Sequence, residues 1–398
     1  MSNSRDAGHG RICVVSFPMP SKLVVDIYLS RIVSILQPLC EKLYVITGNA
    51  HIKPAYQAKT ELLDTRIAMR FRDEKHLKRS LITQMITILC IQAKMSYLIV
   101  KKSKEIDTLI FGMGGLNLFF PVLAAKFLRK DIAISALGRG SLSVQRSTTG
   151  TMGSFYASFT TIVENTNFRL AHKIIVESNI AGNALHLEKF AAKLVNCSPT
   201  FIDIEQFNVK TRVMQRANII GYIGRISEEK GVRNFFCSVP LILQKNPNVS
   251  FLIGGYGPLF QELEAEIDRR NLDSKVKLVG WVSHDDQLPD YLNMLKLLVL
   301  PSYSEGLPAI ILEAMACGTP VLVTPVGGLP EIVKEGQTGF ILKNNSPECI
   351  AESTVAVLGQ GNFDRITENA REIIKENFTY EAAVKKHEKL IGQLRGNC

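Results

Sequence analysis

Residues 300–333 read LPSYSEGLPAIILEAMACGTPVLVTPVGGLPEIV, in which an apolar strand, predicted over Lys296–Leu300, runs through a polar loop straight into a short helix. Pro308 reads as the first helical residue because its missing N–H is not needed there, and Gly318 reads as the stop. The helix is therefore expected over about residues 308–317. Its N-terminus would aim the amides of Gly306, Leu307 and Ala309 beyond the strand, where they and the helix dipole favour a phosphate or similar anion. Glu305 precedes the helix and Glu313 stands on its second turn. A carboxylate beside a phosphate is unfavourable unless hydroxyls donate to it, so two of them eight residues apart point to polyhydroxylated rings flanking a pyrophosphate, the layout of a nucleotide sugar. Each acid taken alone reads equally well as a solvated surface residue.

The chain has 398 residues, 46% of them hydrophobic, enough for two or three domains with cores of their own. Its eight cysteines are scattered without C-x-x-C spacing, and the polar start MSNSRDAGHGR has no apolar segment of a secretory leader. These features predict buried thiols, no cysteine-held metal and a cytoplasmic location. The net charge of +10 is asymmetric: through Phe207 there are 26 Lys and Arg against 15 Asp and Glu, and from Asn208 onward 21 against 22. Residues 66–104 alone carry ten basic residues and two acidic ones. That concentration points to an anionic partner, with an anionic membrane surface as the candidate and the protein peripheral on the inner face. Nucleic acid is disfavoured because the basic stretch is apolar and lacks interleaved stacking aromatics.

Short Val- and Ile-rich runs at 12–17, 43–47, 107–111, 132–136 and 173–178 alternate with helical stretches, which predicts a parallel sheet covered on both faces. Ligands bind beyond the carboxyl ends of such strands. Gly114, in FGMGGLN, and Arg139, in LGRGSLS, are therefore acceptor-side candidates, each also readable as plain turn chemistry. The stretch 77–102 is the most apolar of the chain and carries Lys94 as the only charge between Leu81 and Val100. It admits three readings: a membrane span, a helix covering the sheet, or a helix that also meets a membrane surface. A linker is placed near residue 208, dividing the chain into 1–207 and 208–398.

The second half repeats the pattern with runs at 218–224, 249–254, 276–280, 297–301 and 320–324, then a charged helical end over 363–395 that is expected to pack back on the first domain. Gly224-Arg225 and Lys230-Gly231 follow its first run, and two cations there can neutralise a pyrophosphate, Arg225 bidentately and Lys230 as a point charge. Gly255, in GGYGP, leaves room for a flat group. The backbone at Trp281 and Val282 can read a nucleobase edge, with Trp281 either packed or stacking. There is no D-x-D, and Asp285-Asp286 reads as a helix cap.

From Ile219 to about Leu342 these residues resemble the retaining GT-B glycosyltransferases of glycosyltransferase family 4. The resemblance rests on E-x7-E at Glu305 and Glu313, GR…EKG at Arg225 and Lys230, and GGLPEIV at 327–333. It implies two Rossmann-like doubly wound domains facing across a cleft. The first would bind a saccharide or lipid-linked acceptor and the second a UDP- or GDP-linked sugar donor, with neither metal nor cofactor. By the same resemblance Arg225 and Lys230 hold the diphosphate, Glu305 the transferred sugar, Glu313 the ribose, and Gly306 and Leu307 touch phosphate or sugar. The first half departs from the pattern: Phe17-Pro18-Met19-Pro20 replaces a glycine-rich loop, Leu137 a histidine, and Thr200-Phe201 an Asn-Gly pair. A donor-binding protein without transfer activity and a sugar-nucleotide epimerase are the alternative readings.

Overall fold

The computed structural model describes residues 10–18, 22–48, 58–67, 81–137, 151–178, 180, 182 and 185–396. It divides into two compact units, Met1–Pro199 with Ala383–Cys398, and Thr200–Ala382. Both are built on parallel sheets. In the first, strands β1 (Ile12–Val15), β2 (Leu43–Thr47), β3 (Thr60–Asp64), β4 (Thr108–Phe111), β5 (Asp131–Ser135), β6 (Lys173–Val176) and β7 (Leu194–Asn196) stand in the order 3-2-1-4-5-6-7. In the second, β8 (Ile219–Ile223), β9 (Ser250–Gly254), β10 (Val276–Gly280), β11 (Leu297–Leu300), β12 (Val321–Val323) and β13 (Phe340–Ile341) stand in the order 10-9-8-11-12-13. Each order reverses beside its first strand, so each unit has a doubly wound switch point, at β1/β4 and at β8/β11.

The central strands are apolar on both faces because helices cover both, and Ile12–Val15, Leu43–Thr47 and Leu297–Leu300 are buried throughout. The helix Leu81–Lys101 covers the first sheet through Ile91, Met95 and Ile99. Among the described residues no helix is long and apolar enough to cross a membrane, so the spanning reading of 77–102 is set aside.

Several expectations are corrected. The segment after Pro199 is a strap on the second unit, since Ile202, Phe207 and Val213 enter that unit's core. Ile202 N–H also donates to the Phe378 carbonyl at 2.7 Å, and the division falls at 199/200 instead of 207/208. The charged end is two helices, Phe363–Asn377 and Tyr380–Leu394, instead of one stretch; the second places Leu390, Ile391 and Leu394 in the first unit's core beside Ile12 and Val14, the packing expected of the chain's end. Cys13, Cys40, Cys197 and Cys317 are buried thiols, whereas Cys90 is exposed.

Candidate functional site

In the second unit β8 and β11 pair in parallel, with Leu297 opposite Ile220, so the loops that follow them leave the same edge of the sheet side by side. The first carries Gly224, Arg225 and Lys230, and the second carries Ser302 through Leu307. One glycine lets these two loops touch, and a second lets the loop after β12 close on the second of them. Gly231 has φ +68°, and a Cβ there would lie 2.1 Å from the Pro301 carbonyl oxygen. Gly327 has φ +58°, and its Cβ would lie 2.1 Å from the Glu305 carbonyl oxygen. Tyr303 N–H donates to the Glu229 carbonyl at 2.9 Å, and Gly328 N–H to that of Gly306 at 2.7 Å.

The result is a charged pair at the switch point. Lys230 Nζ lies 2.6 Å from Glu305 Oε2, and Ser302 Oγ donates to Glu305 Oε1 at 2.7 Å. The Glu305 side chain is 6% exposed. An ammonium has three N–H groups, so Lys230 can hold Glu305 and still offer donors to a phosphate. Ser302, which the sequence reading missed, is itself fixed where its carbonyl accepts from Thr324 Oγ1 at 2.6 Å. Arg225 is exposed and makes no ion pair among the described residues. Its carbonyl accepts from the buried Tyr222 hydroxyl at 2.7 Å, and burial pushes that phenol well above its usual pKa.

The helix after Glu305 spans Ala309–Ala316, with Pro308 as the extended N-cap at φ −70° and ψ 122° instead of the first helical residue. Leu307 is buried and Gly306 half-buried at its entrance. Glu313 is buried on the second turn, and its Oε1 lies 2.9 Å from His284 Nε2. His284 Nδ1 faces Asp285 Oδ1 at 3.0 Å. These contacts, Glu313 first, push the histidine up to about 9 against the cost of partial burial. Asp285 is thus a partner of His284 and caps no helix: the helix Leu288–Met294 has Gln287 at its N-cap with no side-chain bond.

The rim is stitched by backbone. Gly224 N–H donates to the Gly254 carbonyl at 2.9 Å and Gly255 N–H to that of Gly280 at 2.6 Å, which joins the ends of β8, β9 and β10. Val282 packs half-buried against the core, while Trp281 is 73% exposed and is not a packing residue. In the first unit Gly114 has φ +69° at the end of β4, and the space its missing side chain leaves is taken by Phe17. Arg139 lies outside the described residues. Among the described residues no three His, Cys, Asp or Glu side chains converge as a metal site.

The chain spans 43% of the length of the alpha-D-kanosaminyltransferase of Streptomyces kanamyceticus, to which it is 30% identical over 166 residues, 42% of this chain. It is 26% identical over 293 residues to the phosphatidylinositol N-acetylglucosaminyltransferase gpi3 subunit of Schizosaccharomyces pombe, covering 68% of this chain and 63% of that one. Among solved structures, Anabaena Alr3699/HepE in complex with UDP superposes with a TM-score of 0.70 at 16% identity, covering 96% of this chain and 99% of that one. The likeness shows the fold: two parallel-sheet α/β units of the GT-B kind. Residues 203–377, which hold every contact of the charged pair and of the buried glutamate, match the sequence model of the family described as Glycosyl transferases group 1.

Proposed function

We propose that the chain is a glycosyltransferase that moves a sugar, with retention of anomeric configuration, from a UDP- or GDP-linked donor to a saccharide or lipid-linked acceptor. The observation that carries the reading is the Lys230–Glu305 pair beside the entrance of the helix Ala309–Ala316, at the switch point of β8 and β11. A lysine with N–H donors to spare beyond its bond to Glu305 suits a diphosphate, the acid suits a sugar hydroxyl, and Arg225 adds a second cation on the loop after β8. The match of 203–377 to a glycosyltransferase family and the UDP held by HepE support a nucleotide-sugar donor.

In this reading the bond between the anomeric carbon and the diphosphate breaks, and its electron pair goes to the phosphate oxygen. Arg225, Lys230 and the helix-entrance amides stabilise that charge, and no step is routed through a metal. The acceptor oxygen bonds to the anomeric carbon from the same face, and its proton passes to the departing phosphate. Glu305 orients the sugar, Glu313 the ribose, and Gly224, Gly255, Val282 and Trp281 frame the base. Acceptor binding is assigned to the first unit.

A membrane surface fits the acceptor side. The helices Leu81–Lys101 and Thr151–Leu170, each packed on Phe119–Phe127, expose with it Met85, Ile86, Leu89, Tyr97, Val100, Phe127, Phe159 and Ile162. Their one acid, Glu164, is buried, while Lys94, Lys101, Lys126 and Arg169 are exposed, the composition of a face that meets anionic lipid. Product analysis over a panel of UDP- and GDP-sugars, with and without acceptors, tests the reading. Transfer should appear in the wild type and be lost in Lys230→Ala, Arg225→Ala and Glu305→Ala. Conversion of donor without acceptor would assign an epimerase, and binding without turnover a donor-binding protein.

A further inference from the structure

Glu313 projects from an otherwise apolar helix with 4% of its side chain exposed, and a buried carboxylate needs a partner that supplies charge as well as a hydrogen bond. That partner comes from a different loop. His284 places Nε2 2.9 Å from Glu313 Oε1 and Nδ1 3.0 Å from Asp285 Oδ1. A carboxylate at each ring nitrogen is the arrangement that suits an imidazolium, which donates from both. Its seat is built as well. The Phe207 ring lies 5.3 Å from it, and Gln206 Nε2 donates to the carbonyls of His284 and Asp285 at 3.3 and 3.0 Å. Among the described residues, Glu313 from the helix and Asp285 from its own loop are the charged groups that face the imidazole.

We propose that His284 is a positioning residue for donor recognition: it holds one oxygen of Glu313 and compensates its charge, leaving the other oxygen to accept from a ribose diol. The inference rests on Glu313 being the ribose-binding acid. It follows that nucleotide affinity depends on the charge of a group that is not itself in contact with the ligand. The imidazolium is present below its raised pKa and is lost as pH rises through about 9, and the grip on ribose should weaken over that window.

Trp281 is the single tryptophan, lies three residues before His284 and is exposed, so its fluorescence reports on this rim. UDP, GDP and their 2′,3′-dideoxy counterparts are titrated into the full-length wild type, His284→Gln and Glu313→Gln at about pH 7 and about pH 10, either side of the imidazolium's loss. Circular dichroism checks folding in each case. The wild type should prefer the ribonucleotide and lose affinity for it by about tenfold at the higher pH. His284→Gln should already be weaker by about tenfold at the lower pH, with a flatter pH profile than the wild type and a ribose preference that is narrowed and no longer changes with pH. If His284→Gln keeps the affinity, ribose preference and pH profile of the wild type while Glu313→Gln loses that preference, the proposal is overturned and the role of Glu313 stands. If Glu313→Gln keeps the preference too, or the wild type responds to neither nucleotide, both are overturned.

Discussion

Glu305 takes one hydrogen bond from a cation and one from a hydroxyl, and the two donors do different work. Ser302 fixes the orientation of the carboxylate, whereas Lys230 balances its charge and faces the diphosphate in the proposed complex. Ser302→Ala should therefore lower kcat/KM by about tenfold, the value of one hydrogen bond to a charged group, with the fold intact. Lys230→Ala should cost far more, because it also leaves a buried carboxylate uncompensated. Steady-state kinetics on the two variants separates the roles; equal losses would contradict the division. At His284 the folded-state pKa lies above the unfolded one. Its contribution to stability is thus fully present below about pH 6.5 and is lost as pH rises through about 9. Melting curves of the wild type should fall over that window relative to those of His284→Gln. Glu305, Glu313, Arg225 and Lys230 could be singled out in the sequence because helix-start chemistry and a strand-end cation pair are local patterns. Ser302 and His284 could not. Their contacts with Glu305 and Glu313 are set by the fold, and Glu313 lies 29 residues from His284 in the chain. Asp285 was misread for the same reason.

Elements are held together here by backbone approach and by one buried guanidinium. Gly231→Ala would put a methyl group into the Pro301 carbonyl at a positive φ, so we expect a loss of about 2 kcal/mol or more in chemical denaturation, together with loss of donor binding. Arg216 is buried and donates to the carbonyls of Thr211, Leu292, Leu295 and Cys317 and to Thr319 Oγ1, closing the ends of the helices Leu288–Met294 and Ala309–Ala316. Burial lowers it to about 10. Arg216→Met strips several carbonyls of their donor at once, and we expect a cost of about 3 kcal/mol by the same measurement; a variant as stable as the wild type would show that these carbonyls find other partners. The ten longer apolar runs were readable as strands because a doubly covered parallel strand is apolar on both faces. β3 (TELLD), β7 (LVN) and β13 (FI) were not, being short or polar edge strands that are defined by a neighbour's ladder and not by their own residues.

Across the whole chain the basic half and the apolar, acid-free helical face coincide in the first unit, while the charged pair and the buried glutamate lie in the second. If that face meets lipid, the protein should float with vesicles containing anionic phospholipid and remain behind with neutral ones. Phe159→Glu with Ile162→Glu should abolish flotation without lowering the melting temperature, and equal behaviour on both vesicles would remove the membrane from the account. The central claim concerns the second unit: a nucleoside diphosphate is held at the β8/β11 switch point by Arg225, Lys230 and the entrance of the helix Ala309–Ala316. Isothermal titration of UDP and GDP into the wild type and into Lys230→Ala tests it most directly. The account predicts that at least one of the two binds the wild type and that the substitution weakens it by about tenfold or more, as loss of a charge-assisted phosphate contact requires. Binding of equal strength to both proteins, or no binding of either nucleotide to the wild type, would contradict it.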